Sequence, residues 1–412
     1  MVGFLGCTAN LTVNIPPEQV MHYPFSMALE GKTLAIGSAS LDKEYDFGRL
    51  VTVNTNTVKQ VIDGKNKKDP IDWNKVITSN ILIPPKISLI SFVKGYISFA
   101  SGYDSELLVL PIRNGAFTCA DPSMNAASCP GAKTLTLPAL DPYSITELAG
   151  GSSAEKMLLV SYLSSDRIDI VKLGAQSSLD DMTIKKSFFV KEDGLGHKLD
   201  VAVLKNQRII TRKVGISTKD DGAESKAYFL VEQHGTTVNV LTKAKAAYLI
   251  AIKVSDLLAP KISDSMIELW QLSDLFGISG VQDFFVDENQ KVAYVLARIP
   301  ETIYKIDLTQ SSLLESKVAC TGAAMMAANK DKGFIVVPCF LDNRVAAFSM
   351  ASLELTAVSK VIPRGPAFAL VDGENSLIYC SFSTGGFVGI LDEKLNMLGH
   401  LFNKAPENRQ GS

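Results

Sequence analysis

The stretch that decides the fold lies near the C-terminus. It reads Gly365-Pro366-Ala367-Phe368-Ala369-Leu370-Val371-Asp372, then Ser376-Leu377-Ile378-Tyr379-Cys380, Phe387-Val388-Gly389-Ile390-Leu391-Asp392 and Met397-Leu398-Gly399-His400-Leu401-Phe402. These are four short apolar runs, carrying β-branched and aromatic residues and separated by Gly, Asp, Asn and Ser, so they read as antiparallel strands joined by tight turns. The same order recurs upstream at 323–328, 333–339, 344–348 and 356–362, and before that at 281–286, 291–297, 302–307 and 315–320. Four earlier units follow the same plan: 25–29, 32–37, 49–54, 58–62; then 87–92, 96–100, 106–112, 133–137; then 144–148, 156–162, 167–173, 183–190; then 199–204, 208–214, 247–254, 266–272.

Seven units of four strands make an all-β chain, and the expected architecture is a seven-bladed β-propeller of four-stranded antiparallel blades over residues 21–403. A short sheet that is apolar on both faces cannot bury itself, whereas radial stacking covers both faces and leaves only short edges. The 412 residues give about 59 per unit, against about 40–50 for common blades. The surplus falls in two insertions, 114–132 and 215–246, the second expected to hold an extra hairpin of 228–232 with 237–241. Residues 404–412 read as a disordered tail.

Composition agrees with a globular body: 46% hydrophobic, 20% charged, net charge −2. That balance removes the basic field of a dedicated nucleic-acid binder, so no nucleic acid is expected. The basic clusters Lys65-Asn66-Lys67-Lys68 and Lys185-Lys186 read as solvated turn and strand-edge lysines.

The last unit, with Gly-Pro-x-x-x-x-Val-Asp at 365–372, Leu377-Ile378-Tyr379 and Val388-x-Ile390-Leu391-Asp392, resembles the YVTN-type propeller repeat, a group related to the seven-bladed lactonase-like propellers. Tyr379-Cys380-Ser381 and Tyr294-Val295-Leu296-Ala297 depart from that family's Tyr-Val-x-Asn, and the likeness fades upstream of residue 280. The resemblance implies the fold more than an activity. It also implies a divalent metal held by carboxylates and amides at the channel, for which only Asp283 and Asp141 stand in the right connections. Two carboxylates fall short of a hard-cation cage, so neither metal nor other cofactor is expected.

The start, Phe4-Leu5-Gly6-Cys7-Thr8, resembles the lipobox of bacterial lipoproteins. That resemblance implies a lipid on Cys7, with residues 1–20 a truncated signal and tether, and an outer-membrane destination because Thr8 replaces a retention Asp. Cys119 and Cys129 bracket a loop of small and polar residues and are expected to pair. Cys320, Cys339 and Cys380 sit among apolar residues and read as buried thiols.

Catalytic signatures are missing: the sequence has no G-x-S-x-G, H-E-x-x-H, P-loop, G-x-G-x-x-G or C-x-x-C. Asp220-Asp221-Gly222 lacks the further ligands of a calcium loop. The connections entering the blades carry His22, Lys86, Tyr143, His197, Asp283, Thr321 and Arg364. Those residues would ring one mouth of the channel and could take a polar or anionic ligand. His234 reads as a turn residue and His400 as a blade-edge residue. The expected function is a non-enzymatic, lipid-anchored periplasmic or cell-surface scaffold that binds protein partners of an envelope assembly. The rival is a lactonase-like hydrolase or small-ligand binder at the channel mouth.

Overall fold

A computed structural model describes residues 21–402, apart from 22, 40–44, 65–70, 94, 103, 120, 122, 149–155, 175–180, 200–203, 205–206, 219–224, 235–245, 279 and 363. Six four-stranded sheets follow chain order from strand to strand; in the seventh, of five strands, Lys133–Thr136 pairs with Glu106–Arg113 rather than with the short Ala116–Phe117 that precedes it, and every strand pairing is antiparallel. They are the seven blades of a propeller. The inner strands are Pro24–Glu30, Ser91–Val93, Pro142–Glu147, Arg208–Thr218, Gly280–Asp287, Ala327–Asn329 and Pro366–Asp372. We call the face where these strands begin the near face, and the face where they end the far face.

Packing follows from strand periodicity. Successive side chains point to opposite faces of a sheet. In the second strand of blade 5, Val292, Tyr294 and Leu296 pack toward blade 6, while Ala293, Val295 and Ala297 pack toward blade 4. The hydrophobic core is therefore divided into seven clusters, one at each boundary between neighbouring blades. Closure needs no exchanged strand: blade 7 is complete by Leu401, and its Leu377, Tyr379, Val388 and Ile390 pack on Met27, Leu34 and Ile36 of blade 1. Asn375 Nδ2 adds hydrogen bonds to Thr55 Oγ1 and Asn56 Oδ1, both at 3.2 Å.

Five of the seven inner strands carry a register shift near their start, at Pro24/Ser26, Pro142/Ile145, Thr211/Lys213, Gly280/Asp283 and Pro366/Phe368. A bulge turns a side chain out of the ladder, and here it turns one toward the next blade. Ser26 Oγ accepts from Ile90 N at 2.8 Å, Ser144 Oγ from Val214 N at 3.3 Å, and Asp283 Oδ2 from Met326 N at 2.9 Å. The polar atoms near the axis thus tie blade 1 to 2, 3 to 4 and 5 to 6.

Two strands differ from expectation. Residues 58–62 are part of a helix, Thr55–Asp63, capped by Asn54 Oδ1 accepting from Thr57 N at 3.1 Å, and the outer strand of blade 1 is Ile77–Ile83. In blade 4 the inner strand is Arg208–Thr218, not 199–204; Leu199 and Leu204 lie outside any strand, and 200–203 are not among the described residues. Residues 228–232 then belong to the second strand of that blade, Ser225–His234, rather than to an added hairpin; 237–241 lie outside the described residues.

The 114–132 segment packs inward. Cys119 and Cys129 form the expected disulfide. Phe117 N donates to Ser79 Oγ at 3.0 Å, and Leu82 N to Met124 O at 3.1 Å. It straps blade 2 onto the outer strand of blade 1. Cys320 and Cys339 are not separate thiols but a second disulfide; the chain leaving the outer strand of blade 5, Ser312–Val318, brings Cys320 to the end of the second strand of blade 6, Phe334–Cys339. Cys380 is a free buried thiol, and burial pushes its ionisation well up. Cys7 and the tail 404–412 lie outside the described residues.

Candidate functional site

The expected ring of near-face residues is only partly one site. Lys86 donates to Asp141 Oδ1 at 2.6 Å, with both side chains about two-fifths exposed, so this pair closes on itself at the entrance to blade 3. Arg364 is held through its backbone: its N–H donates to Asn343 Oδ1 at 3.0 Å and its carbonyl accepts from Thr384 Oγ1 at 2.7 Å. His22 and the side chain of His197 lie outside the described residues. Tyr143 and Asp283 do come together. Burial pushes the Tyr143 hydroxyl up to about 12, and the Asp283 charge adds to this while Arg212 and Arg298 oppose it.

Asp283 is a wall residue of the channel and is fully buried. Its Oδ1 accepts from Phe284 N at 2.7 Å and from the Lys213 ammonium; its Oδ2 accepts from Met326 N. With Asp141 held by Lys86 as well, these carboxylates do not fit a divalent cation that needs six or more oxygen ligands. Among the described residues no group of three or more His, Cys, Asp or Glu side chains is placed to hold a metal.

The strongest electrostatic feature of the near face lies outside the residues that the sequence singles out. Glu232, at the end of the apolar run Ala227-Tyr228-Phe229-Leu230-Val231, is fully buried. Its Oε2 accepts from Arg212 Nε at 2.6 Å and Nη2 at 2.5 Å and lies 3.0 Å from His234 Nε2. Its Oε1 accepts from Val281 N at 2.8 Å and Arg298 Nη2 at 3.0 Å. Burial alone would raise this carboxyl, but the His234 hydrogen bond and the two guanidinium groups outweigh it and hold it at about 2. A charge this deep is tolerated only when every lone pair is taken. The network joins blade 4 to blade 5 beside Tyr143. His234 is therefore the last residue of a strand, hydrogen-bonded to the buried Glu232, rather than a turn residue. The visible signal is a charged residue directly after the five-residue apolar run Ala227–Val231, inside the strand Ser225–His234.

On the far side of the Lys213–Asp283 pair the channel opens into a cavity of about 540 Å³ lined by residues from all seven blades. Its wall is mixed: Ile90, Ile145, Val214, Ile216, Phe284 and Met325 line it beside Ser91, Ser144, Thr146 and Ser217 and the charged Lys213 and Asp283. Glu30 and Glu147, at the ends of two inner strands, stand at its far-face mouth. Burial raises the Glu30 carboxyl, and Lys156 opposes that shift.

The outside of the ring is uneven. Among the described residues eleven large hydrophobic side chains stand exposed, and nine of them belong to blades 5–7. Val318 is 75% exposed, Leu341 63% and Val361 53%. All three lie at near-face strand ends, where backbone bonds join the adjacent loops: Phe340 N donates to Gly322 O at 2.9 Å, Leu341 N to Thr321 O at 3.2 Å and Ile362 N to Asn343 O at 2.8 Å. The Cys320–Cys339 disulfide lies directly beneath those loops. Leu313, Leu314, Leu355 and Val358 continue the apolar surface along the outer strands of blades 5 and 6.

No protein-family model matches this chain, and no curated protein sequence does. Solved structures do resemble it. Sqt1 of Saccharomyces cerevisiae is 7% identical with a TM-score of 0.55, covering 94% of this chain and 87% of its own. The β-propeller domain of Myceliophteria thermophila Cps50 (Swd1) is 10% identical with a TM-score of 0.54, covering 92% of this chain and 98% of its own. At such identities the likeness carries the propeller fold alone.

Proposed function

We propose that this chain is a protein-binding propeller scaffold whose docking surface is the apolar rim of blades 5–7, and that it works in the bacterial envelope, anchored to the outer membrane through a lipid on Cys7. The observation that carries the docking surface is the concentration of exposed hydrophobic side chains on three adjacent blades. Exposed large hydrophobic side chains gathered on one side of a molecule are a mark of interaction sites. Two disulfides support an oxidising compartment. The Leu5-Gly6-Cys7 lipobox resemblance supports the anchor, and the C-terminal repeats support kinship with YVTN-type propellers.

The test of the docking surface is a paired charge substitution, Val318→Asp with Leu341→Asp. Both side chains are exposed, so the variant should keep the wild-type circular dichroism and melting point while its native complex falls apart on size exclusion. An intact complex would refute the rim as the contact. The anchor is tested separately: labelled palmitate should enter the wild type and not Cys7→Ala. Equal labelling of both would refute it.

A further inference from the structure

The wedge between the outer strands of blades 5 and 6 carries chemistry that the apolar rim alone does not. Blades radiate from the axis, so neighbouring sheets spread apart toward the outside and the side chains facing each other there stay uncovered. Pairing fixes which ones they are. On blade 5, Lys317 pairs with Ile303, whose side chain packs toward blade 6. On blade 6, Val358 pairs with Ala346, Leu355 with Phe348 and Arg344 with Cys339, and all three partners pack toward blade 5. The Ala346–Val358 register, continued by Ser359 N donating to Val345 O at 2.8 Å, sets Lys360 opposite Arg344. Five exposed side chains therefore share one recess: the apolar Leu355 and Val358, and the cationic Lys317, Arg344 and Lys360 at its near-face end. The Cys320–Cys339 disulfide and the Lys305 ammonium, donating to Ala351 O at 2.6 Å, tie the two blades together along it.

The near-face end of the recess is an unneutralised positive charge. Among the described residues no carboxylate stands within ion-pair distance of Lys317, Arg344 or Lys360. The acids nearby are spoken for: Glu315 sits opposite Lys305, Asp342 Oδ2 accepts from Thr321 N at 2.8 Å, and Glu301 Oε1 accepts from Gly322 N at 2.8 Å. Like charges directly opposite on paired strands destabilise a sheet, so Arg344 and Lys360 gain from an anion set between them. Lys360 lies five residues beyond Leu355, about 16 Å at roughly 3.3 Å per residue. That is the length of a five-residue extended chain. A slot between two sheets, running down the side of the ring, admits such a chain and not a flat bilayer. We propose that this recess binds an extended protein segment, its acidic end on Lys317, Arg344 and Lys360 and its apolar end on Leu355 and Val358. This rests on the reading of blades 5–7 as a protein-docking surface and names the chemistry of the partner.

The test selects a phage-displayed library of random peptides on the full chain. Peptides enriched on the wild type should carry Asp or Glu beside large apolar residues. Lys317→Glu with Lys360→Glu should reverse that choice to Lys or Arg; both side chains are exposed, so the melting point should not move. For a synthetic copy of one enriched peptide, replacing its acids by amides should weaken binding about tenfold or more. Leu355→Ser with Val358→Ser should weaken it to a similar degree. The recess is overturned by no enrichment or enrichment without acids, or by a choice that charge reversal leaves unchanged. It is overturned too if the chain sediments on phosphatidylglycerol vesicles and the peptide does not compete it away. The two readings fail separately. A native complex that survives Val318→Asp with Leu341→Asp refutes the docking surface, whereas one lost there but intact with Lys317→Glu and Lys360→Glu refutes the recess alone.

Discussion

Replacing Glu232 by Gln should be among the most damaging single substitutions in the near face. The carboxylate accepts hydrogen bonds on both oxygens, from Val281 N and Arg298 on one and from Arg212 and His234 on the other. A Gln amide presents its NH₂ to one of these donor sets whichever way it flips, and it leaves Arg212 and Arg298 facing a neutral group. Breaking a buried ion network by removing one partner costs about 3–5 kcal/mol. The carboxyl itself gives a second measure. It drops from an ordinary 4.5 to about 2 in the folded chain, which corresponds to stability on the order of 3 kcal/mol at neutral pH. Because the folded value lies below the unfolded one, that stability is present above about pH 4.5 and is lost as the pH falls toward 2. The assay is urea unfolding followed by tryptophan fluorescence and circular dichroism. With a slope of about 3 kcal/mol/M, the midpoint at pH 6 should fall by about 1–2 M. The gap between wild type and variant should then narrow by about 2 kcal/mol between pH 6 and pH 3. A loss under about 1 kcal/mol at pH 6, or a gap that does not change with pH, would refute the network as the clamp between blades 4 and 5.

Other substitutions test other levels of the structure. Deleting residues 225–234 removes the second strand of blade 4 and should leave an insoluble or unfolded chain; a soluble product with a wild-type spectrum would mean that the strand is an insertion after all. Cys320→Ser with Cys339→Ser should lower stability by about 3 kcal/mol on loop-entropy arithmetic, read as a urea midpoint that matches the reduced wild type at that bond. Gly365 has φ +55°, and a Cβ there would lie 2.5 Å from the Phe340 ring. Gly365→Ala should therefore cost about 2 kcal/mol or more, through both left-handed backbone and overpacking, with no loss if the loop simply moves aside. Ser26→Ala leaves the buried Ile90 N–H without its acceptor and should cost about 1–3 kcal/mol by the same unfolding assay.

The fold was legible because each blade repeats a local rule. In blades 5–7 the turns are tight and the Asp, Asn and Gly residues punctuate them: Asp307 Oδ1 accepts from Thr309 N at 2.7 Å and Gln310 N at 2.9 Å, closing one such turn. Where spacing loosened, a competing signal won. Val58, Val61 and Ile62 are β-branched and looked like a strand, but their spacing at i, i+3 and i+4 was the helical one, and Asn54 supplied the cap. The apolar run at 199–204 took the place of an inner strand and displaced the register of blade 4 by one strand, which turned a core strand into an apparent hairpin. The site was less legible for a physical reason. Glu232, Arg212, His234 and Arg298 are brought together by the packing of two blades, and Lys213 meets Asp283 across 70 residues. No local spacing encodes either meeting. Only the position of Tyr143 and Asp283 near the start of inner strands could be read from repeat counting.

If partners dock on the rim of blades 5–7, residue-level cross-linking of the native assembly will find them there. Lys317 and Lys360 are exposed beside Val318 and Val361; Lys75 and Lys185 are exposed on blades 1 and 3. Docking there gives lysine cross-links from partner chains to Lys317 and Lys360, abolished together by Val318→Asp with Leu341→Asp. Partner cross-links confined to Lys75 and Lys185, and unaffected by that substitution, would contradict it.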